Sequence, residues 1–282
     1  MNYFHTIIGL PASGKTTFLA ALWHLIDSGE GEQPDLKLDK LVGDNKYLNT
    51  IVEYWRKCQK VPRTSQQIES ELLLHLHHEK INRKITLGFS DLSGEAFDSQ
   101  VFRRKCKNTY IENFNKDGGI LFFITANKIE DGLAIRDFSE LIKNDDSESE
   151  AVSWKPEFIP ADVKQVELLQ FLQKPPFLRR QRRMAVLISA WDVITHSIVP
   201  EKWLEQEYPL FYQFINSNRE SFDFRVYGIS AQGGDISHEP TARNSIRKKL
   251  LEKIPSERIQ CISADYQGND LTSPICWLSE DD

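Results

Sequence analysis

Gly9-Leu10-Pro11-Ala12-Ser13-Gly14-Lys15-Thr16 decides how this chain folds. It is a complete G-x-x-x-x-G-K-[ST] loop. Before it runs Tyr3-Phe4-His5-Thr6-Ile7-Ile8, an apolar stretch that reads as a buried strand. After it runs Thr17 to Ile26, with apolar residues at helical spacing. Strand, glycine loop and helix in that order give the pattern a mechanism. The glycines permit a tight turn whose backbone N–H groups face phosphate oxygens, and the helix dipole adds positive potential. Residues Gly9 to Thr17 would therefore line a phosphate site. Lys15 would reach the β- and γ-phosphates, and the Thr16 hydroxyl would ligate Mg²⁺.

Outward from the loop, strands and helices alternate. Ser28 to Asp44 is polar and reads as a surface loop. Lys46 to Lys60 puts Leu48, Ile51, Val52, Trp55 and Cys58 on one helical face. Ile68 to His77 and Lys84 to Ser90 read as a hairpin turning near Asn82-Arg83. Glu95 to Asn115 reads as one helix, and Gly119 to Thr125 as a central strand. Met184 to Ser189 and Phe224 to Ser230 are further strands, and Asp270 to Leu278 a closing helix. The expectation is a three-layer α/β P-loop NTPase fold. Its sheet is mostly parallel with one antiparallel hairpin strand. An insertion at about 126–183 precedes the strand expected to carry base recognition, and residues 1–282 form a single domain.

The strand ending at Ser90 leads into Asp91-Leu92-Ser93-Gly94-Glu95. An acidic residue at a strand tip beside the phosphate loop can hold Mg²⁺, usually through water. The Gly94 N–H can bond a γ-phosphate and let go when that phosphate leaves. Upstream, Arg63-Thr64 sits in a loop. Thr64 can complete the Mg²⁺ shell, and Arg63 can stabilise charge on the transferring group. A solvated loop pair is the alternative reading of these two residues.

Ile188-Ser189-Ala190-Trp191-Asp192 lies at a strand's C-terminal end, where ligands bind in such sheets. Asp192 can accept two hydrogen bonds from guanine N1 and N2, a pattern adenine does not offer. Ser230-Ala231-Gln232 ends the next strand, and the Ala231 N–H could meet guanine O6. Trp191 or a residue near Gln232 could cover the base. Ala126 to Glu130 looks like a base motif by letters alone but ends the wrong strand.

These segments stand in the order found in P-loop GTPases of the translation-factor and Ras-like class, which the chain resembles. More narrowly it resembles the double-GTPase families encoded in bacterial conflict and defence gene clusters. That narrower likeness rests on Ile188 to Asp192, Trp203-Leu204, Pro209-Leu210, Tyr227 to Asp235 and Asp270 to Leu278. It implies a GTP switch acting in antiviral defence, with partners among proteins encoded nearby. Two positions depart from the class. Ala190 replaces the lysine that packs over the base, and Glu95 replaces the glutamine that orients the attacking water. Slow hydrolysis is therefore expected, below about 10⁻² s⁻¹. A pseudo-GTPase scaffold and a P-loop ATPase or nucleotide kinase stay open as alternatives.

Composition narrows the remaining classes. The chain has 282 residues and a net charge of −6, so it is no nucleic-acid binder by overall electrostatics. Its cysteines, Cys58, Cys106, Cys261 and Cys276, are scattered and read as reduced thiols. No apolar run reaches the roughly eighteen residues of a membrane span. No signal-peptide pattern is seen, so a cytoplasmic location is expected. His75, His77 and His78 read as ordinary strand residues rather than metal ligands. Arg179 to Arg183 reads as a solvated edge or a partner contact.

Overall fold

The computed structural model describes residues 2–30, 35–62, 72–89, 94–127, 158–236 and 240–280. Arg63, Thr64, Asp91, the Lys128 to Glu130 stretch and the acidic run 144–150 lie outside the described residues.

The phosphate loop is flanked as its sequence requires. Strand β1 (Asn2–Gly9) enters it and helix α1 (Lys15–Ser28) leaves it. Among the described residues a nine-stranded sheet is built around β1. The other strands are β2 (Leu36–Val42), β3 (Leu72–His78), β4 (Arg83–Phe89), β5 (Ile120–Thr125), β6 (Arg182–Ser189), β7 (Phe222–Ser230), β8 (Gln260–Ile262) and β9 (Gln267–Gly268). Their order across the sheet is β2-β3-β4-β1-β5-β6-β7-β8-β9. Strands β4, β1, β5, β6 and β7 are mutually parallel. Antiparallel pairs flank that block on both sides.

Among the described residues the helices are α1, α2 (Asn45–Arg56), α3 (Glu95–Arg103), α4 (Asn108–Phe114), α5 (Ala161–Leu172), α6 (Pro200–Glu207), α7 (Pro209–Ser217), α8 (Pro240–Leu251) and α9 (Ser273–Leu278). They cover both faces of the sheet. One core joins α1, α2 and α9 to the sheet through Phe18, Leu22, Trp55, Leu74, Phe123 and Trp277. The second joins α3 to α7 through Phe97, Phe114, Leu169, Trp203 and Phe211 to Phe122 and Ile188. Strand β5 is buried over Ile120 to Ile124 because helices cover it on both sides.

Two expectations need correction. The stretch read as a polar loop holds β2, which pairs antiparallel to β3 and is interrupted by a bulge between Leu38 and Lys40. Only Leu36 of that strand is buried, so the hydrophobic alternation that marks a strand is missing. The sheet is mostly parallel with β3 as the expected antiparallel hairpin strand, and it carries one antiparallel strand more, β8, beyond β7. The single helix expected over 95–115 is two. Arg104 takes a left-handed conformation, φ 55°, and ends α3.

The arginine cluster is largely committed within the fold: Arg179 is exposed, Arg180 and Arg183 are half-buried and Arg182 is buried. Arg182 is buried and donates to the carbonyls of Phe114, at 2.6 Å, and Gly118, at 3.2 Å. Its guanidinium lies 4.1 Å from the Phe114 ring centroid. Arg180 pairs with Asp117 and with the Lys116 carbonyl. Arg183 donates to the Trp277 carbonyl at 3.1 Å and to that of Glu280 at 2.6 Å. These side chains answer orphan carbonyls at the ends of α4 and α9.

His75 and His77 meet Thr86 and Asn82, each at 2.9 Å. No cluster of metal-ligating side chains occurs among the described residues. No described helix is long and apolar enough to cross a membrane.

Candidate functional site

Parallel strands end on the same edge of a sheet, so their following loops converge there. Gly9 of β1 is level with Phe123 of β5, Thr125 of β5 with Ser189 of β6, and Ser189 with Ile229 of β7. The phosphate loop therefore leaves β1 at the level of Leu187, close to where β6 ends at Ser189 across the intervening β5, and the adjacent β7 ends one residue on, at Ser230.

The phosphate loop turns back on itself. The Ser13 N–H donates to the Leu10 carbonyl at 3.3 Å, and Ala12 has φ 59°. Gly14 has φ +88°, and a Cβ there would stand 2.6 Å from the Ser189 side chain. A side chain at Gly9 would meet Ser13 Oγ at 2.6 Å. Gly9 is thus demanded by space, and Gly14 by space and by backbone. Gly14 is the N-cap of α1 and supplies no side-chain cap. With a glycine at the N-cap, no cap side chain stands over the start of α1. Lys15 is buried, and its ammonium donates to the carbonyls of Gly9, at 2.7 Å, and Leu10, at 2.9 Å, and to Ser13 Oγ at 3.3 Å. The lysine is coiled against its own loop. Leu10 is half-buried while Pro11 and Ala12 are exposed at the rim.

Gly94 comes to the same place. It caps α3 with φ +83°, and a Cβ would stand 2.5 Å from the Pro11 nitrogen and 2.6 Å from the Leu10 carbonyl carbon. The first residue of α3, Glu95, is exposed beside it. Arg63, Thr64 and Asp91 lie outside the described residues, so their position relative to this loop is not part of the geometry.

The base-side segments also meet. Ser230 Oγ donates to Asp192 Oδ1 at 2.6 Å, and the Gly233 N–H donates to Ser230 Oγ at 3.1 Å. Ala190 takes a left-handed conformation, φ 54°, and turns the chain into a short 3-10 segment, Trp191–Val193. Burial pushes the Asp192 carboxyl above the usual carboxylate range, the Ser230 hydrogen bond opposes this, and the charge of Asp235 adds to it. Ala231 and Gln232 are buried.

Trp191 does not do what the sequence suggested. Its indole is 7% exposed and lies against Gly228, where a Cβ would be 2.5 Å from Cδ2. Trp203 meets it edge-on at 6.0 Å. The ring is committed to the core between β7 and α6, which leaves little of its face for a base.

The residue that sequence reasoning missed is Trp55. It is fully buried on α2, and its indole N–H donates to the Ala231 carbonyl at 2.8 Å. Its place on the apolar face of a helix was visible, but its partner, 176 residues away in the chain, was not.

The family model described as Double-GTPase 1 matches residues 6–278. No curated protein matches. Among solved structures, the Arl6 BBS3 small GTPase from Trypanosoma brucei with a bound nucleotide analogue is similar at 9% identity and a TM-score of 0.41, over 89% of this chain and 98% of that one. The GTP-bound GTPase-like domain of Ski7 from S. cerevisiae is similar at 13% identity and a TM-score of 0.41, over 90% of this chain and 51% of that one. Era from Aquifex aeolicus, bound to GDP and aluminium fluoride, is similar at 17% identity and a TM-score of 0.34, over 90% of this chain and 57% of that one. Likeness of this size carries no functional argument.

Proposed function

We propose, from the premise that the chain belongs to the Double-GTPase 1 family, that it is a GTP-binding switch which hydrolyses GTP slowly with Mg²⁺. The observation that supports this most is the meeting of Gly14, Gly94 and Ser189 around one loop, where a single added methyl group would clash. Such a cradle is shaped for a phosphate tail, and the uncapped start of α1 suits its charge.

In this reading the amides of Gly9 to Thr17 hold the α- and β-phosphates. Lys15 exchanges its loop carbonyls for the β- and γ-phosphates. Gly94 offers its N–H to the γ-phosphate. Mg²⁺, when bound, neutralises charge on the β- and γ-oxygens, and the donors that suit it are the hydroxyls of Thr16 and Thr64 and the carboxylate of Asp91. Glu95 orients the attacking water, and Arg63 stabilises the transferring group. A carboxylate adds negative charge beside the γ-phosphate, and this favours a slow reaction. Asp192, Ser230, Ala231 and Gln232 select guanine, and Ser189 braces the loop beneath it. The chain works as one domain. The resemblance to families encoded in bacterial defence gene clusters supports a cytoplasmic role in antiviral defence, through protein partners encoded nearby that read the loop state.

Single-turnover phosphate release tests this. Stoichiometric phosphate from bound GTP in the presence of Mg²⁺, with little displacement by excess ATP, is the expected result. Retention of intact GTP would mean a scaffold without turnover. Equal competition by ATP would overturn the guanine assignment.

A further inference from the structure

Helix α2 ends against the loop that follows β7, and the contact runs both ways. Trp55 donates its indole N–H to the Ala231 carbonyl at 2.8 Å, and the Gln232 amide donates to the Trp55 carbonyl at 3.4 Å. The next two carbonyls of α2 are answered from the same side. Arg258 donates to the Arg56 carbonyl at 3.3 Å, and Arg247 to that of Lys57 at 3.1 Å. The Arg258 guanidinium lies 4.9 Å from the Trp55 ring centroid, and the His24 ring of α1 packs at 5.0 Å. The indole is thus gripped by neighbouring groups and has no room to rotate. Gly233, φ +86°, is pressed against the Arg258 backbone, where a Cβ would clash.

We infer that Trp55 is a positioning residue for recognition of the base's 6-position. Ser230 Oγ fixes the loop on one side of Ala231, through Asp192 and the Gly233 N–H. Trp55 fixes it on the other, through the Ala231 carbonyl. Between the two anchors, the Ala231 N–H is the donor assigned to guanine O6. The Ala231 carbonyl shares its peptide plane with the Gln232 N–H, and that plane joins the one carrying the Ala231 N–H at the Ala231 Cα, so holding the carbonyl limits how far the Ala231 N–H can swing. This deepens the guanine reading above and rests on it. Trp55 touches no nucleotide in this account.

Trp55→Phe keeps a ring in place and deletes the N–H. Two probes separate positioning from general damage: GTP, and 2-aminopurine riboside triphosphate, which keeps the 2-amino group and lacks O6 together with the N1 proton. Trp55→Phe is expected to weaken GTP about tenfold and the 2-aminopurine nucleotide less than twofold. Equal loss for both, or no loss for GTP, overturns the inference while leaving guanine binding intact. Wild-type protein that fails to bind GTP at all sinks the guanine reading itself.

The wild-type indole gives a second readout should the variant not fold. Hydrogen exchange of the Trp55 Nε1–H, followed by NMR, is expected to slow on binding GTP. It should not change with tripolyphosphate, which fills only the phosphate loop. Exchange that is equal with GTP and tripolyphosphate overturns the inference.

Discussion

The Ser230 hydroxyl donates a hydrogen bond to Asp192 Oδ1 at 2.6 Å, joining the turn after β6 to the end of β7. Asp192 must be ionised to accept N–H donors from a base. Burial holds its carboxyl above the ordinary value of 3.8, and Ser230 pulls it back. On the proposed reading, protonation therefore competes with GTP. Affinity is full above the raised pKa and falls about tenfold per pH unit below it. GTP titrations from pH 8 towards the acid limit of folding are expected to break above the ordinary carboxylate value. In Ser230→Ala the break should move higher still. A break that is absent, or the same in both proteins, contradicts the coupling.

Lys15 is held by the carbonyls of Gly9 and Leu10 and by Ser13 Oγ. Lys15→Met fills similar volume and removes the charge. Charge-assisted bonds contribute about 1.5–3 kcal/mol each, so GTP affinity should fall on the order of 10- to 100-fold. Calorimetric titration with Mg-GTP checks this. An unchanged affinity would mean that the phosphate tail lies elsewhere.

Gly94 has no room for a side chain, since a Cβ would stand 2.5 Å from the Pro11 nitrogen. Gly94→Ala carries left-handed strain of about 1–2 kcal/mol. It also forces the Leu10–Pro11 backbone to move. Both the melting temperature and GTP affinity are expected to fall. Gly29→Ala is the control, because Gly29 has φ +64° at the exposed end of α1. It should lower the melting temperature and leave GTP affinity alone. Identical effects of the two variants on affinity would contradict the placement of Gly94 at the phosphate loop.

Far from the site, His5 fixes α9 to the sheet. The Gly119 N–H donates to its Nδ1 at 2.9 Å. The proton therefore sits on Nε2, which donates to Ser279 Oγ at 2.8 Å, and that hydroxyl donates to the Ile275 carbonyl at 3.0 Å. The ring is complete as a neutral group, and burial lowers its pKa from 6.5 to about 3. Its contribution to stability is fully present above pH 6.5. It is lost as the pH falls towards 3, because only the unfolded chain gains the proton. The slope is about 1.4 kcal/mol per pH unit. Urea unfolding of wild type and His5→Gln between pH 7 and 4 should show that slope shrinking in the variant. Parallel profiles would contradict a buried neutral His5.

The phosphate loop was legible because its chemistry is local. A glycine turn, a lysine and a helix start are consecutive, and the flanking strand and helix are apolar enough to read. The segments that carry Asp192 and Ser230 were legible as structure for the same reason, since one follows an apolar strand and the other ends one. Strand β2 was not, because an edge strand with one buried residue leaves no alternation to see. The break at Arg104 was hidden because no glycine or proline marks it. The arginines around Arg182 read as surface charge, since sequence does not reveal that the end of α4 sits beneath them. Trp191 was misplaced because its room comes from Gly228, on the next strand. Trp55 was seen as a core residue, and its hydrogen bond across the fold could come only from the tertiary arrangement.

Guanine selection by Asp192 is the central claim, and exchanging the base tests it most directly. Asparagine at this position offers an N–H where the carboxylate offered an acceptor. Xanthine carries a carbonyl where guanine carries its 2-amino group. Binding of GTP and XTP to wild type and Asp192→Asn, measured side by side, should invert: wild type prefers GTP, and the variant loses GTP at least about tenfold and gains XTP. A variant that binds both nucleotides as wild type does would contradict the account.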